Sequence, residues 1–410
     1  MTSIILDRFN KLRLYCESQS FKGWDPYDGL NSKLFHSLPL FKESALCRLL
    51  IIQTFKRNPI NLRSLFLVPK EYNAKGIGLF LQGYCNLYKL IRNNLELENE
   101  LGSKEEIYIK IIFLADLLIS LKSEGFNGSC WGYNFDWQAR RLFYFPKNTP
   151  TVVATSYCVS ALIEAYEITK IDKYLHIALS SANFVIKDLH RTECKEGFLF
   201  SYSPLSGNNT VINASLLGSK VLSHCYYYTK NEEYRNLAEK SVKACCSIQY
   251  ENGSWRYGLL PVQSWIDSFH TGYNLEALKI YQELTGDNSF NEYFEKGFLF
   301  YLENFFLEDG TPKYYHDKIY PIDIHCPGEL LIVLHVISRF EENRILATKV
   351  LEWTIKNMQD KKGYFYYQLK NGINSKISYM RWSNAFMFNA ISCYLLEVYN
   401  FNKDEEVFNK

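Results

Sequence analysis

The sequence predicts an all-α fold in which helical hairpins close into an (α/α)6 toroid, with short aromatic β-hairpin turns at one end. Three observations predict it. A Gly-aromatic turn recurs at Gly128, Gly197, Gly253, Gly310 and Gly363, spaced 69, 56, 57 and 53 residues apart (197−128, 253−197, 310−253, 363−310). Each interval holds two stretches with apolar residues at helical rather than strand spacing, such as Leu237, Ala238, Val242, Cys245 and Cys246 before Gly253. A repeat of about 55 residues built from two antiparallel helices cannot bury its own apolar faces, so stacked neighbours must cover them. When the stack closes, one helix of each pair lines the inside and the other faces solvent.

The elements follow in order. Residues 1–22 read as one helix, apolar at Ile5, Phe9, Leu12 and Tyr15. Trp24-Asp25-Pro26-Tyr27-Asp28-Gly29 is a loop of turn formers. Leu46 to Phe55 is a helix, and Lys56-Arg57-Asn58-Pro59-Ile60-Asn61-Leu62-Arg63 a basic turn after it. Lys75 to about Leu95, opening on Lys75-Gly76-Ile77-Gly78-Leu79, and Glu105 to Leu121 are two more helices. The inner helices are predicted over Thr151–Thr169, Thr210–Tyr228, Ser268–Leu284, Pro327–Phe340 and Arg381–Tyr399. The outer ones are predicted over Lys173–Leu189, Asn231–Ile248, Ser289–Asn304 and Glu342–Asn357. No Pro/Gly/Ser-rich linker divides the chain. It reads as one domain over 1–400, with N-terminal helices over 1–125, clear hairpin repeats over 126–400 and a polar, fraying tail over 401–410.

Composition excludes several classes. With 46 basic and 44 acidic residues the net charge is +2, which gives no support for nucleic-acid binding. Eleven scattered cysteines argue against a disulfide scaffold. The N-terminus shows no signal peptide, and no apolar run nears the ~20 residues of a membrane helix; Ile111–Leu121 is interrupted by Asp116. A reduced, cytoplasmic protein without a transmembrane segment is expected. Tyr (31) and Phe (28) lift the aromatic content to 16 %, and rings gathered at turns suit stacking on sugar faces.

Gln249-x-x-x-Gly253-x-Trp255 resembles the repeat motif of squalene cyclases and protein prenyltransferases, and Gln359-x-x-x-Gly363-x-Phe365 is a second copy. That family's Asp-rich acid motif and zinc set are missing, so isoprenoid cyclisation is the least favoured reading. Trp24–Gly29, Lys56–Arg63, Ile266–Tyr273 and Tyr379-Met380-Arg381-Trp382-Ser383-Asn384-Ala385-Phe386 resemble a bacterial family encoded among exopolysaccharide and capsule genes, sometimes mislabelled aminolevulinate dehydratase. The resemblance implies a six-hairpin, glycosidase-like toroid, a glycan or glycan-lipid substrate, and contact with other polysaccharide-biosynthesis proteins. Asp267-x-x-His270-Thr271-x-x-Asn274 is similar to a stretch in the toroid domain of glucuronyl C5-epimerases.

Asp267, His270, Thr271 and Asn274 fall at i, i+3, i+4 and i+7, one face of a predicted inner helix that would be apolar without a site. An imidazole can move protons near neutral pH while Asp267 orients it; the alternative makes Asp267 a helix cap. Asp323 and His325 precede Pro327, a first-turn residue, which puts them at the same barrel end. These four are the candidate catalytic residues. Arg381 could grip a carboxylate bidentately, with Trp382 and Asn384 beside it, or else pair with an Asp. Trp131, Tyr133, Asp136 and Arg140 in the first turn, Trp255 and Tyr257 in the central one, Tyr315 in the next, and Tyr157, Asn213 and Asn274 on inner helices complete a candidate substrate-binding set. His325-Cys326 and His224-Cys225 lack partners at metal-ligand spacing, so no metal or cofactor is expected. Epimerisation or elimination needs a base, an acid and a cation; hydrolysis needs two carboxylates, for which Asp267 and Asp323 are the candidates. A non-catalytic glycan-binding or assembly factor is the alternative.

Overall fold

The structure, a computed structural model, describes residues 2–138 and 144–408. α1 (Thr2–Ser18) opens the chain, and two single turns, α2 (Lys33–His36) and α3 (Pro39–Glu43), lead to α4 (Ala45–Arg57). α5 (Ala74–Asn93) and α7 (Lys104–Ser120) form a hairpin with the short α6 (Glu98–Leu101) between them. Four more hairpins follow: α8 (Val152–Thr169) with α9 (Asp172–Lys187), α10 (Ile212–Thr229) with α11 (Glu232–Ser247), α12 (Ser268–Thr285) with α13 (Asn291–Phe305), and α14 (His325–Val336) with α15 (Arg344–Met358). The last inner helix, α16 (Phe386–Phe408), pairs with α1.

The six inner helices make a closed ring. α5 packs on α8, α8 on α10, α10 on α12, α12 on α14, α14 on α16, and α16 returns to α5. Burial separates the two layers. In α8 every residue from Val152 to Ile163 is buried, as a helix in a core must be. In α9 burial falls on Tyr174, Ala178, Ser181, Ala182, Phe184 and Val185, the one face of an outer helix that meets the core. Small strands decorate one end. β1 (Trp137–Gln138) pairs with β2 (Tyr144–Phe145), β3 (Arg191–Cys194) with β4 (Gly197–Phe200), and β5 (Ile322–Asp323) joins β6 (Tyr366–Leu369) and β7 (Ser375–Ser378), all antiparallel.

The recurrent glycines share one role, because each lies against the backbone of the next outer helix. A Cβ on Gly128 would stand 2.1 Å from the Ser180 carbonyl oxygen, on Gly197 2.1 Å from Lys240, on Gly253 2.2 Å from Lys296, on Gly310 2.5 Å from Lys349, and on Gly363 2.2 Å from Lys11. The last contact reaches α1 and shuts the ring. The two glutamines of the repeat motif bridge the same joint. Gln249 Nε2 donates to the Gly253 and Tyr293 carbonyls, at 2.8 and 2.9 Å. Gln359 Nε2 donates to those of Gly363 and Arg8, at 3.0 and 2.9 Å.

Three predicted boundaries are corrected. α14 starts at His325, two residues before Pro327, because a proline at the third helical position still falls among N–H groups that need no intrahelical partner. The stretch Met380–Ala385 is a wide π-type turn, with Asn384 N bonded to Tyr379 O at 3.1 Å, before α16 begins. The tail is not separate, since α16 runs to Phe408.

Gly253 has φ +87° and Gly286 φ +74°, but nothing lies within 4 Å of a Cβ on Gly286. Gly286→Ala should therefore cost only the left-handed backbone term, about 1–2 kcal/mol. Gly253→Ala should exceed it by about 1–3 kcal/mol, because the joint with α13 must open. Chemical denaturation of the two variants measures the difference; equal losses would mean that the glycine contact does not govern ring closure.

Candidate active site

The N-terminal ends of the inner helices converge on a cavity of about 450 Å³. Each sends a residue to its lining: Lys75 from α5, Val153 from α8, Asn213 from α10, His270 from α12, His325 from α14, and Arg381 from the wide turn before α16. Helix N-termini carry partial positive charge, about half a unit each, so six of them favour an anionic occupant. The walls are aromatic, including Tyr27, Tyr133, Tyr257, Trp265, Tyr315 and Trp382. Lys56, Lys75 and Arg381 add cations, and among the described residues no Asp or Glu lines the cavity.

His270 is held from behind. Asp267 caps α12, accepting the His270 backbone N–H at 3.0 Å. The same carboxylate accepts the Trp265 indole N–H at 2.8 Å and meets His270 Nδ1 at 2.7 Å. A carboxylate already taking two donors accepts here as well, so Nδ1 carries the hydrogen and Nε2 keeps its lone pair on the cavity side. Tyr257, stacked on Trp265 with centroids 4.5 Å apart, packs on the imidazole at 4.6 Å.

The floor is a second polar unit. Tyr273 Oη lies 2.6 Å from His325 Nε2 and 3.0 Å from Lys75 Nζ, and all three residues are buried. Burial first, and the Lys75 and Arg381 charges after it, hold the His325 imidazole well below its usual range. Burial likewise pushes the Lys75 ammonium down, with Arg381 adding to it and Glu329 and Glu276 opposing. Asp323 supports this unit from outside the cavity. It accepts Trp382 Nε1 at 2.8 Å, Gln368 Nε2 at 2.9 Å and the His325 backbone N–H at 3.0 Å. Burial pushes its carboxyl up to about 6 against those donors.

Arg381 lines the cavity with its fork already engaged. Its Nε and Nη2 donate to the two oxygens of Asp25 at 2.6 and 2.9 Å. Burial works against the Arg381 charge, and the Asp25 carboxylate more than offsets it, holding the guanidinium above its usual range. The guanidinium also lies over Tyr133 and Trp382, 5.0 and 5.1 Å from their centroids.

The candidate residues thus divide. His270, His325, Tyr133, Asn213, Tyr257, Tyr315, Arg381 and Trp382 line one cavity. Asp267 and Asp323 stand behind it, their carboxylates consumed by donors. Trp131 and Trp255 are corrected from sugar platforms to packing residues: their indoles are buried and donate to the Leu118 and Cys245 carbonyls at 2.8 and 3.0 Å. Asn384 ties the Phe365 N–H to Ser378 Oγ, each at 2.9 Å, and Asp136 accepts the Lys147 N–H at 2.7 Å; neither lines the cavity. Asn274 and Tyr157 lie buried deeper in the barrel. Arg140 lies outside the described residues. Among the described residues no group of three His, Cys, Asp or Glu is placed to hold a metal. Sequence reasoning missed Lys75 and Tyr273. The available signal was a charged residue in the first turn of a predicted inner helix, and a tyrosine three residues beyond His270.

No protein-family model matches the chain, and no curated protein matches its sequence. Solved structures do match its shape. A sugar epimerase from a ruminal bacterium is 13% identical, with a TM-score of 0.57 over 81% of this chain and 90% of that one. A GH76 α-mannanase from Bacteroides thetaiotaomicron is 12% identical, with a TM-score of 0.55 over 82% and 88%. A polysaccharide lyase is 10% identical, with a TM-score of 0.59 over 98% of both chains. The fold is that of the six-hairpin glycosidases. At these identities the likeness is one of fold. No described helix is long and apolar enough to cross a membrane.

The unfolded chain protonates His325 near a pH of about 6.5, the folded chain only well below it. Below that pH the folded state binds fewer protons, so this residue makes stability fall as pH drops. Asp323 acts in the opposite sense, gaining stability as pH falls through about 6. The comparison is therefore wild type against His325→Gln. The variant should lose about 2 kcal/mol less than wild type between about pH 6.5 and 5. Denaturant midpoints across that range test it; parallel curves would mean that the folded state accommodates the imidazolium.

Proposed function

We propose that this protein is a carbohydrate-active enzyme that moves a carbon-bound proton on an acidic sugar, by epimerisation or elimination. One observation carries the reading. The cavity offers an imidazole whose Nδ1 is fixed on Asp267, among cations and helix N-termini, and none of its described lining residues is a carboxylate. The segment 139–143, Ala-Arg-Arg-Leu-Phe, contains no acid either.

A proton on the carbon beside a sugar carboxylate leaves only if the growing negative charge is met by cations or hydrogen-bond donors. His270 Nε2 is the base, and Asp267 is its positioning residue, fixing the tautomer and steadying the imidazolium that forms. Lys56 and the helix N-termini receive the carboxylate, and Arg381, its fork held by Asp25, adds positive charge nearby. Tyr133, Tyr257, Trp265 and Trp382 supply the faces against which a pyranose stacks. Two-carboxylate hydrolysis is disfavoured because Asp267 and Asp323 are both spent on holding neighbours. The eleven unpaired cysteines suit a reducing, cytoplasmic setting. The resemblance of four segments to the exopolysaccharide-cluster family supports a surface-polysaccharide intermediate as the glycan.

The protein is incubated in D2O with oligoglucuronate, oligogalacturonate, oligomannuronate and a neutral cello-oligosaccharide. Deuterium should enter a ring carbon of a uronate, or an unsaturated uronate should form, and His270→Asn should slow either about 100-fold or more. Asp267→Asn should keep binding but lose rate through the wrong tautomer. New reducing ends with neither deuterium nor an unsaturated ring would establish hydrolysis instead. Binding without any chemistry would establish a glycan-binding factor.

A further inference from the structure

Beneath the cavity floor four inner helices send charged side chains to the barrel axis. Lys75 (α5), Lys220 (α10), Glu276 (α12) and Glu329 (α14) are 2%, 1%, 3% and 0% exposed. Lys220 pairs with Glu276. Among the described residues, both Glu329 oxygens lack a hydrogen-bond partner, and Lys75 makes no ion pair. Buried charges of this kind cost stability where apolar residues would serve the core better. They are also where function is found.

Lys75 is the member that reaches the cavity. Its Nζ sits over the faces of Tyr157, Tyr273 and Phe386, at 3.9, 4.7 and 4.9 Å, and donates to Tyr273 Oη at 3.0 Å. From the other side His325 Nε2 lies 2.6 Å from the same oxygen. With the Nε2–H tautomer of His325, the phenol oxygen accepts two N–H groups and keeps its own hydrogen to give. Two donors on one phenol oxygen stabilise the charge that appears when its proton departs.

We infer that Tyr273 is the second proton-transfer group of this site, and that Lys75 and His325 are the positioning residues that let its phenol give up a proton. The inference rests on the proton-transfer reading of the cavity and adds its missing acid. His270 Nε2 takes the proton from carbon, and the electron pair of that C–H bond passes into the carboxylate-stabilised carbanion. Tyr273 Oη then delivers its proton either to that carbon or to the departing glycosidic oxygen. The product leaves with an imidazolium at 270 and a phenolate at 273, held by Lys75 and His325. Exchange with water returns both to their starting forms. Burial, and Glu329 after it, push the Tyr273 phenol well above its usual range, so the phenolate depends on those two donors. Burial, then Glu276, also pushes Glu329 up, with Lys75 and Lys220 opposing. The groups facing Lys75 are thus Tyr157 and Cys158 on α8, Tyr273 and Glu276 on α12, His325 and Glu329 on α14, Lys220 on α10 and Arg381 on the wide turn.

The test separates abstraction from delivery, using whichever oligouronate exchanges deuterium with the wild-type protein. Tyr273→Phe should still exchange deuterium into substrate within about threefold of wild type, yet form epimerised or unsaturated product at least 100-fold more slowly. Lys75→Met, which nearly preserves volume, should lower kcat about 10-fold or more with KM little changed, and move the limb of the pH–rate profile that reports the acid. Lys75→Arg should restore part of the rate. Product formation by Tyr273→Phe at the wild-type rate would overturn the inference. So would Lys75→Met with an unaltered rate and profile, a result that stands even if Tyr273→Phe does not fold. Absence of both exchange and unsaturated product in the wild-type protein is a different outcome: it removes the proton-transfer reading itself, and this inference with it.

Discussion

Everything in this molecule depends on the joint between one repeat's glycine turn and the next repeat's outer helix. Five turns lay a glycine directly on a helix carbonyl, and at the fifth that helix is α1, at the opposite end of the chain. The contact is steric before it is attractive. Any Cβ would occupy the space of a backbone oxygen, so each joint fixes the distance between neighbouring hairpins to within a fraction of an ångström. Six hairpins set at one spacing and one tilt close; a single loose joint would leave an open solenoid with two unpaired apolar ends. The Gln-x-x-x-Gly motif adds hydrogen bonds at the third joint and at the closing one.

Closure creates the electrostatics of the cavity. In a ring of hairpins all inner helices run the same way, so six N-termini face one mouth without any residue being selected for charge. The polar side chains then work against that field. Asp267 and Asp323 sit where carboxylates are favoured, and both are used up as acceptors for the groups that do face the cavity. A second device joins the chain's beginning to its end. Asp25 takes the Arg381 fork, its carbonyl takes Arg63 Nη2 at 2.7 Å, and Asp28 takes Arg63 Nε at 2.6 Å. Removing one partner of such a buried pair typically costs about 3–5 kcal/mol. The network holds the Trp24–Gly29 loop so that Tyr27 forms cavity wall, with Lys56 Nζ donating to its hydroxyl at 2.6 Å.

The repeat period makes the fold legible from the chain alone, because periodic glycines report a steric requirement that nothing else in the sequence satisfies. The inner helices are legible for the same reason, and His270 and His325 because polar residues stand at helix starts beside predicted turns. What could not be read was direction. Asp267 and His270 share a helix face in projection, yet one bends back to cap its own helix and the other points forward. Trp131 and Trp255 look like sugar platforms in a turn, yet each folds under it to reach a carbonyl of the preceding helix. Arg381 was open to two readings, and the partner that decides between them, Asp25, lies 356 residues away. Lys75 was hidden for a different reason: beside Gly76 and Gly78 it looked like the polar start of an ordinary helix.

On the proposed reading, the distribution of carboxylates is what sets this cavity apart from a hydrolase site on the same scaffold. A glycosidic bond breaks between two acids, one to protonate and one to attack or activate water, and both must reach the sugar. Here each acid near the mouth already accepts two or three donors, so neither can reach across without releasing a neighbour it positions. Glu329, whose two oxygens both lack donors, lies under the floor, separated from the mouth by Tyr273 and His325. An acid in that place cannot touch a substrate. It can only set the balance of charge around Lys75, and through Lys75 the ease with which the Tyr273 phenol parts with its proton.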